Sequence, residues 1–275
     1  MNQVVNTVRQ DLLTAIDKDL LVLPTLPEVA LKVREVAEDP DASIDQLNTV
    51  IGNDAALTAR IVKVANSPLL RGSVEIESLK MALMRLGMEY TCNIATALAM
   101  EQMFQATSDM VDKRMRDIWT SSSEIAGICH VLCKHHTKLR PDQATLAGLV
   151  HRIGALPILT YAEDHPELLR DSITLDAVIN DLQAQIGSKI LEKWDFPQEL
   201  RKVPQQFTDF SRSIETADYV DLVTVAALQD GADTIYSEVN LSSVTAFTRL
   251  GINPETTNED EDLNAEMEAA MKFLQ

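Results

Sequence analysis

Few residues in this 275-residue chain combine the type and the setting that chemistry needs, and the histidines come first. There are five: His130, His135, His136, His151 and His165. His151 lies in Ala147-Gly148-Leu149-Val150-His151-Arg152-Ile153-Gly154, an apolar stretch with a glycine on either side. An imidazole in such a place can ligate a metal or move a proton. It can also be a core histidine satisfied by one hydrogen bond, and taken alone that reading is favoured. Arg152 cannot ligate a metal, but its planar guanidinium is a candidate contact to an anion such as a nucleotide phosphate; pairing with a carboxylate or reaching solvent is the plainer role. Cys129, Cys133 and His136, with His130 between them, follow i, i+4, i+7 spacing and would share one helix face. Zinc accepts those atoms, yet zinc frameworks usually draw ligands from more than one element, and cysteines often fill core space, so a structural role is favoured. Ser121-Ser122-Ser123 has His130 as a sequence neighbour and no evident third partner, which marks a polar helix face rather than a nucleophile. No phosphate-cradling loop, dinucleotide fingerprint or nucleophile elbow occurs.

The elements that must position these residues read as helices. Val4, Val5, Val8, Leu12, Leu13 and Ile16 recur at helical spacing. Pro24 and Pro27 bracket an extended link, and Pro27 can open the next helix, which stops near Asp39-Pro40. Ser43-Ile44-Asp45-Gln46 is a capping box for a helix running to Gly52, and Asn53 and Asp54 can cap another that ends at Asn66-Ser67-Pro68. Helices follow over 78–86, with Gly87 as a stop, and over 89–104. The polar stretch 105–113 suggests a subdomain boundary. Long helical patterns then cover about 111–137, 142–160 and 174–194, with Pro157 expected to end or bend the second, and another covers 215–230. No convincing alternating strand and no fixed repeat is present. The pair of helices within Ser43–Ser67, carrying Arg60 and Lys63 with Arg71 nearby, has the outline of a helix-turn-helix, but helical bundles contain many such pairs and the surroundings are acidic. From Gly251 onward the chain has seven Asp/Glu and one Lys, a net of −6. Leu263, Met267, Met271 and Leu274 could line one face there, so a helix folded onto the body is preferred to a mobile acidic tail.

Several short motifs, in order, resemble the HDOD family, a branch of the HD-domain superfamily of metal-dependent phosphohydrolases. They are Leu23-Pro24-Thr25-Leu26-Pro27-Glu28-Val29-Ala30, Asp39-Pro40-Asp41-Ala42-Ser43, Asp54-Ala55-Ala56-Leu57-Thr58-Ala59-Arg60, Val64-Ala65-Asn66-Ser67 and Ala82-Leu83-Met84-Arg85-Leu86-Gly87. The second half contributes Trp119, Leu146 to His151, Ile186-Gly187 and Leu191-Glu192-Lys193-Trp194-Asp195-Phe196-Pro197. The resemblance spans about Leu23 to Ala227. It implies an all-α fold with an N-terminal helical part (1–107), an HD-like helical part (108–250) and an acidic C-terminal segment (251–275). Catalytic HD enzymes hold one or two divalent cations with a His, a His-Asp pair and a later Asp. Carried over, the first His position holds Ser121 and the His-Asp pair is His151-Arg152. A further His position falls on Gln183, a later His pair on Gln205 and Gln206, and the final Asp on Ala227. Arg152 puts positive charge where a cation would want a carboxylate. A single remaining His does not make a catalytic metal site, which usually needs three protein ligands.

Composition narrows the classes. Twenty-four Lys+Arg against 42 Asp+Glu give a net charge of −18, which disfavours nucleic acid and anionic lipid. The apolar share of 45% excludes a disordered chain, and few glycines and aromatics favour helices. Three cysteines do not make a disulfide framework, and no signal peptide or spanning segment is evident, so a soluble cytoplasmic protein is expected. The expected function is a bacterial signalling module, not an enzyme, with a degenerate pocket of Ser121, His151, Arg152, Gln183, Gln205 and Gln206. It would need no metal or other cofactor and would bind a protein partner, with a small anionic ligand as a further candidate. A phosphohydrolase with an atypical ligand set is the alternative.

Overall fold

Local hydrogen bonding sets where the helices begin. In the computed structural model, which describes residues 3–18, 23–230, 236, 238–255 and 261–274, the Ser43 hydroxyl accepts from Gln46 N and the Gln46 side chain accepts from Ser43 N. Asp54 accepts from Leu57 N and Ser78 from Met81 N. These caps open α3 (Ile44–Gly52), α4 (Ala55–Ala65) and α5 (Leu79–Leu86). Gly87, at φ 81°, lets the chain leave α5 and enter α6 (Met88–Met100) directly. They follow α1 (Gln3–Asp17) and α2 (Glu28–Glu38). Next come α7 (Asp109–His136), α8 (Pro141–Val150), α9 (Ala155–Glu163), α10 (Pro166–Arg170), α11 (Ser172–Lys193), α12 (Gln198–Arg201), α13 (Val203–Gln206), α14 (Tyr219–Asp230), α15 (Thr245–Leu250) and α16 (Glu261–Ala270). No strand occurs among the described residues, and the fold is all-α. No helix among them is long and apolar enough to cross a membrane.

Two expectations about breaks need correction. Pro157 neither ends nor bends a helix. The break falls at His151–Gly154, and Pro157 sits in the first turn of α9, where its missing N–H leaves no bond unmade. The helix expected over 215–230 starts only at Tyr219, because the Asp218 carboxylate accepts from Val220 N and Asp221 N and so acts as its cap.

One continuous core runs from Val8 to Leu274 and crosses residue 107 without interruption. Helix α7 is its axis, packed by α8, α14 and α16, while α6 packs on both α2 and α8. Helix α1 packs on α11, far along the chain. The link after α1 is fastened in the same way: Trp194 Nε1 donates to Pro24 O at 3.0 Å, and Arg34 donates to the carbonyls of Trp194 and of Asp195. The Leu-Pro signature and the Trp-Asp-Phe-Pro signature, remote in sequence, therefore bond to each other.

At the C-terminus, α16 lies against α7. A Cβ on Gly127 would come within 2.2 Å of Ala270 O, so only glycine permits that approach. Glu266 pairs with Lys134 and His135, Phe273 meets the His130 ring edge, and Arg60 donates to Leu274 O.

Candidate functional site

Ser121, His151, Arg152 and Ala227, singled out in sequence, come together where α7, the α8–α9 turn and α14 meet. Ser121 and Ile125 of α7, His151 and Arg152 of the turn, Phe207 after α13, Ala227 of α14 and Tyr236 line one cavity. Glycines allow the convergence. A Cβ on Gly148 would stand 2.5 Å from Ala126 Cα of α7, and one on Gly154 would stand 1.9 Å from Gln183 O and 2.5 Å from Gly187 N of α11. The close crossing of Gly154 and Gly187 also brings Gln183 to Arg152, whose Nε donates to Gln183 Oε1 at 3.4 Å.

His151 is fully buried at the end of α8. Its Nδ1 lies 2.5 Å from Gly148 O. A carbonyl can only accept, so Nδ1 carries the proton and Nε2 holds the lone pair. The ring stands edge-on to Phe207 at 5.0 Å. Burial lowers its pKa to about 3; the bond to Gly148 opposes this and the Arg152 charge adds to it. The imidazole is thus neutral across the physiological range.

Gln183 is buried beside Arg152, but Gln205 and Gln206 do not line the cavity. Gln205 is exposed, Gln206 is half-buried, and Phe207 fills the wall instead. Ile125, Phe207 and Tyr236 were missed in sequence, since single apolar or aromatic residues carry no motif.

The described residues that line the cavity do not make a donor set for a divalent cation: they present the hydroxyls of Ser121 and Tyr236, one neutral imidazole and a guanidinium, with no carboxylate among them. Among the described residues, no three His, Cys, Asp or Glu side chains are grouped so that they could hold a metal. The cavity measures about 10 Å³, room for roughly one water.

The other candidates have different surroundings. Cys129 and Cys133 are buried, and burial pushes both thiols above their ordinary pKa. Cys133 Sγ meets Thr137 Oγ1 at 3.3 Å. Buried His130 faces Thr145 Oγ1 at 3.1 Å, and burial lowers its pKa to about 4. Arg60, in the helix pair with a helix-turn-helix outline, turns inward to Leu98 O, Leu274 O and Glu101. A buried ion network carries no sequence signature at all: Asp221 is wholly buried between Arg212 and Arg249, and Arg212 also holds Asp218.

The HDOD domain family model matches residues 23–209. A curated protein of Treponema pallidum (strain Nichols), itself uncharacterised, is 21% identical over 271 residues, covering 90% of this chain and 50% of that protein. The chain therefore spans about half the length of that relative. A crystal structure from Shewanella amazonensis SB2B, of a protein named provisionally as a metal-dependent phosphohydrolase, is 34% identical with a TM-score of 0.87, covering 98% of this chain and 99% of that one. Another, from Marinobacter aquaeolei VT8 and named provisionally as a signal transduction protein, is 21% identical with a TM-score of 0.66, covering 98% of this chain and 65% of that one.

Proposed function

The chain belongs to the HDOD domain family, and from that membership we propose that it is a non-catalytic regulatory module of signal transduction that works by binding another protein. The observation that carries this reading is the lining of the His151 cavity. Hydrolysis of a phosphate ester in an HD-type site needs a cation to generate the attacking hydroxide. Here Arg152 supplies positive charge beside the one imidazole, and Ala227 supplies no ligand atom. The signalling role also agrees with the name of the Marinobacter aquaeolei neighbour.

The second reading, a metal-dependent phosphohydrolase with an atypical ligand set, is favoured by the name and 34% identity of the Shewanella amazonensis relative. One assay separates the two: hydrolysis of p-nitrophenyl phosphate and of cyclic dinucleotides with added manganese. The regulatory reading expects no turnover above a blank. Turnover that His151→Ala abolishes would replace it with the hydrolase reading.

Gating by a small anion at Arg152 is a finer form of the proposal. The cavity has space for about one water, so a nucleotide would have to displace Phe207 or Tyr236. Calorimetry with cyclic dinucleotides and guanosine tetraphosphate, on the intact chain and on Arg152→Ala, tests it. Heat of binding that the variant lacks would support it, and no binding by the intact chain would remove it.

A further inference from the structure

Helix α5 buries Leu79, Ala82 and Leu83 on one side. On an amphipathic surface helix the other side is polar. Here it presents Met81 and Met84, i and i+3 apart, and Met84 is 68% exposed. Val74, 62% exposed, is held beside them. Arg85, one turn beyond Met81, packs at Gly72 and donates to Val74 O. Exposed apolar residues scattered singly are ordinary. Of the seven large ones exposed among the described residues, however, three fall in this one stretch, so they form a patch rather than scatter.

The charge around this patch runs against that of the chain. With 24 Lys+Arg and 42 Asp+Glu, an arginine should find a carboxylate easily. Eight arginines do, from Arg34 to Arg249. Arg71 and Arg85 pair with no carboxylate among the described residues, although Glu75 and Glu77 are exposed on the segment between them. Lys80 is matched by Asp45. From Arg60 to Arg85 the chain carries five Lys/Arg and two Glu, a net of +3 within a total of −18. Arg85 is half-buried, with one terminal nitrogen enclosed and unbonded, so it acts through its field. Arg71 is exposed and can reach a carboxylate of a partner.

This combination selects the occupant. A second copy seated on the same face would set these arginines against their like, and a net charge of −18 repels copies in general. Nucleic acid gains nothing from Val74, Met81 and Met84, and its binding needs many phosphate contacts. Anionic lipid is repelled by the rest of the surface. An acidic amphipathic helix answers both components, because methionine side chains adapt to an apolar helix face while carboxylates match the arginines.

We propose that the outer face of α5, together with Val74, docks an acidic amphipathic helix of a partner protein. The apolar side of that helix lies on Val74, Met81 and Met84, and its carboxylates face Arg71 and Arg85. The inference deepens the binding role proposed above and rests on that reading for there being a protein partner. The surface shares no residue with the His151 cavity, so its failure leaves the non-catalytic reading to the hydrolysis assay.

The probe is a designed helical peptide of about 20 residues, long enough to hold a helix, with leucines along one face and glutamates elsewhere. A twin carries lysines in place of the glutamates. Each is titrated into the intact chain and followed by amide chemical shifts. The acidic peptide is expected to saturate, with Kd on the order of 10–100 µM and shifts concentrated at 71–74 and 81–85. The lysine twin should bind at least about tenfold more weakly. Met84→Asp and Arg71→Glu, both at exposed positions with little risk to folding, should each weaken the acidic peptide about fivefold or more. No saturable binding of the acidic peptide, equal binding of its twin, or binding unchanged in both variants overturns the surface. Sedimentation of the chain alone and titration with a single-stranded RNA oligonucleotide complete the test. A dimer lost in Met84→Asp would replace the partner with a second copy, and RNA binding lost in Arg71→Glu would replace it with nucleic acid; either result overturns the proposal.

Discussion

Single residues here are constrained most where backbones touch. Gly154 approaches Gln183 O so closely that a Cβ would overlap it at 1.9 Å, and the obstacle is backbone, which cannot rotate away. Gly154→Ala should therefore cost at least about 3 kcal/mol, measured by chemical denaturation. Gly52 is the contrasting case. It closes α3, its nearest neighbour would be 4.0 Å from an added Cβ, and Gly52→Ala should gain about 0.5–1 kcal/mol. Thr96→Val belongs with it: removing a buried hydroxyl that bonds to nothing should leave stability unchanged or raise it by about 1 kcal/mol.

Helix α16 shows how an element is held. Its ion pairs, Glu266 with Lys134 and His135, are partly exposed and each is worth no more than about 1 kcal/mol. The closer determinant is the glycine seat at Gly127, together with Phe273 against His130 and the Arg60 bond to Leu274 O. Gly127→Ala should lift α16 from α7 without unfolding the rest. Hydrogen exchange would then show loss of protection in 261–274 and retained protection in α8 and α11. High salt should weaken docking only slightly, because the packing is apolar and steric rather than ionic. The composition of this segment, net −6 from Gly251 onward, suggested an acidic tail as readily as a docked helix. What separates the two is the seat that Gly127, His130 and Arg60 make, all more than a hundred residues earlier, which no local pattern in 251–275 can reveal.

For the whole molecule, the buried ionisable groups set the response to acid. His151 and His130 have folded pKa values of about 3 and about 4 against 6.5 for a free imidazole, because burial penalises the charged ring. As pH falls below 6.5 the unfolded chain takes up protons first, so these groups favour unfolding progressively until about pH 3–4. At pH 5 the loss is about 2 kcal/mol for each histidine relative to pH 8. Asp218 acts in a lower window. Burial alone would raise its pKa, but Arg212 and Lys202 hold it at about 2, below the ordinary 3.8. Its contribution is present above pH 3.8 and is lost as pH drops toward 2. Urea denaturation between pH 8 and 3 should show a midpoint that falls steadily below pH 6.5; a flat profile from 6.5 to 5 would contradict neutral burial of both imidazoles.

The sequence by itself determined the helices and much of their punctuation. The capping box at Ser43, the cap at Asp54 and the stop at Gly87 were legible, because each is a bond or a backbone preference spanning three or four residues. The ordered motifs also brought Ser121, His151, Arg152, Gln183 and Ala227 into consideration together, and the fold places all five at one convergence. Tertiary structure decided the rest. The four-residue α13 turns Gln205 and Gln206 away and Phe207 inward, a choice made by packing against Gly187 and His151 rather than by any local signal. The same holds for the Asp221 ion network and the seat of α16, each assembled from residues tens to hundreds of positions apart. Hydrogen-bond periodicity is written within a turn of chain. The meeting of distant surfaces depends on which side chains fill the space between them, and only the packed core fixes that.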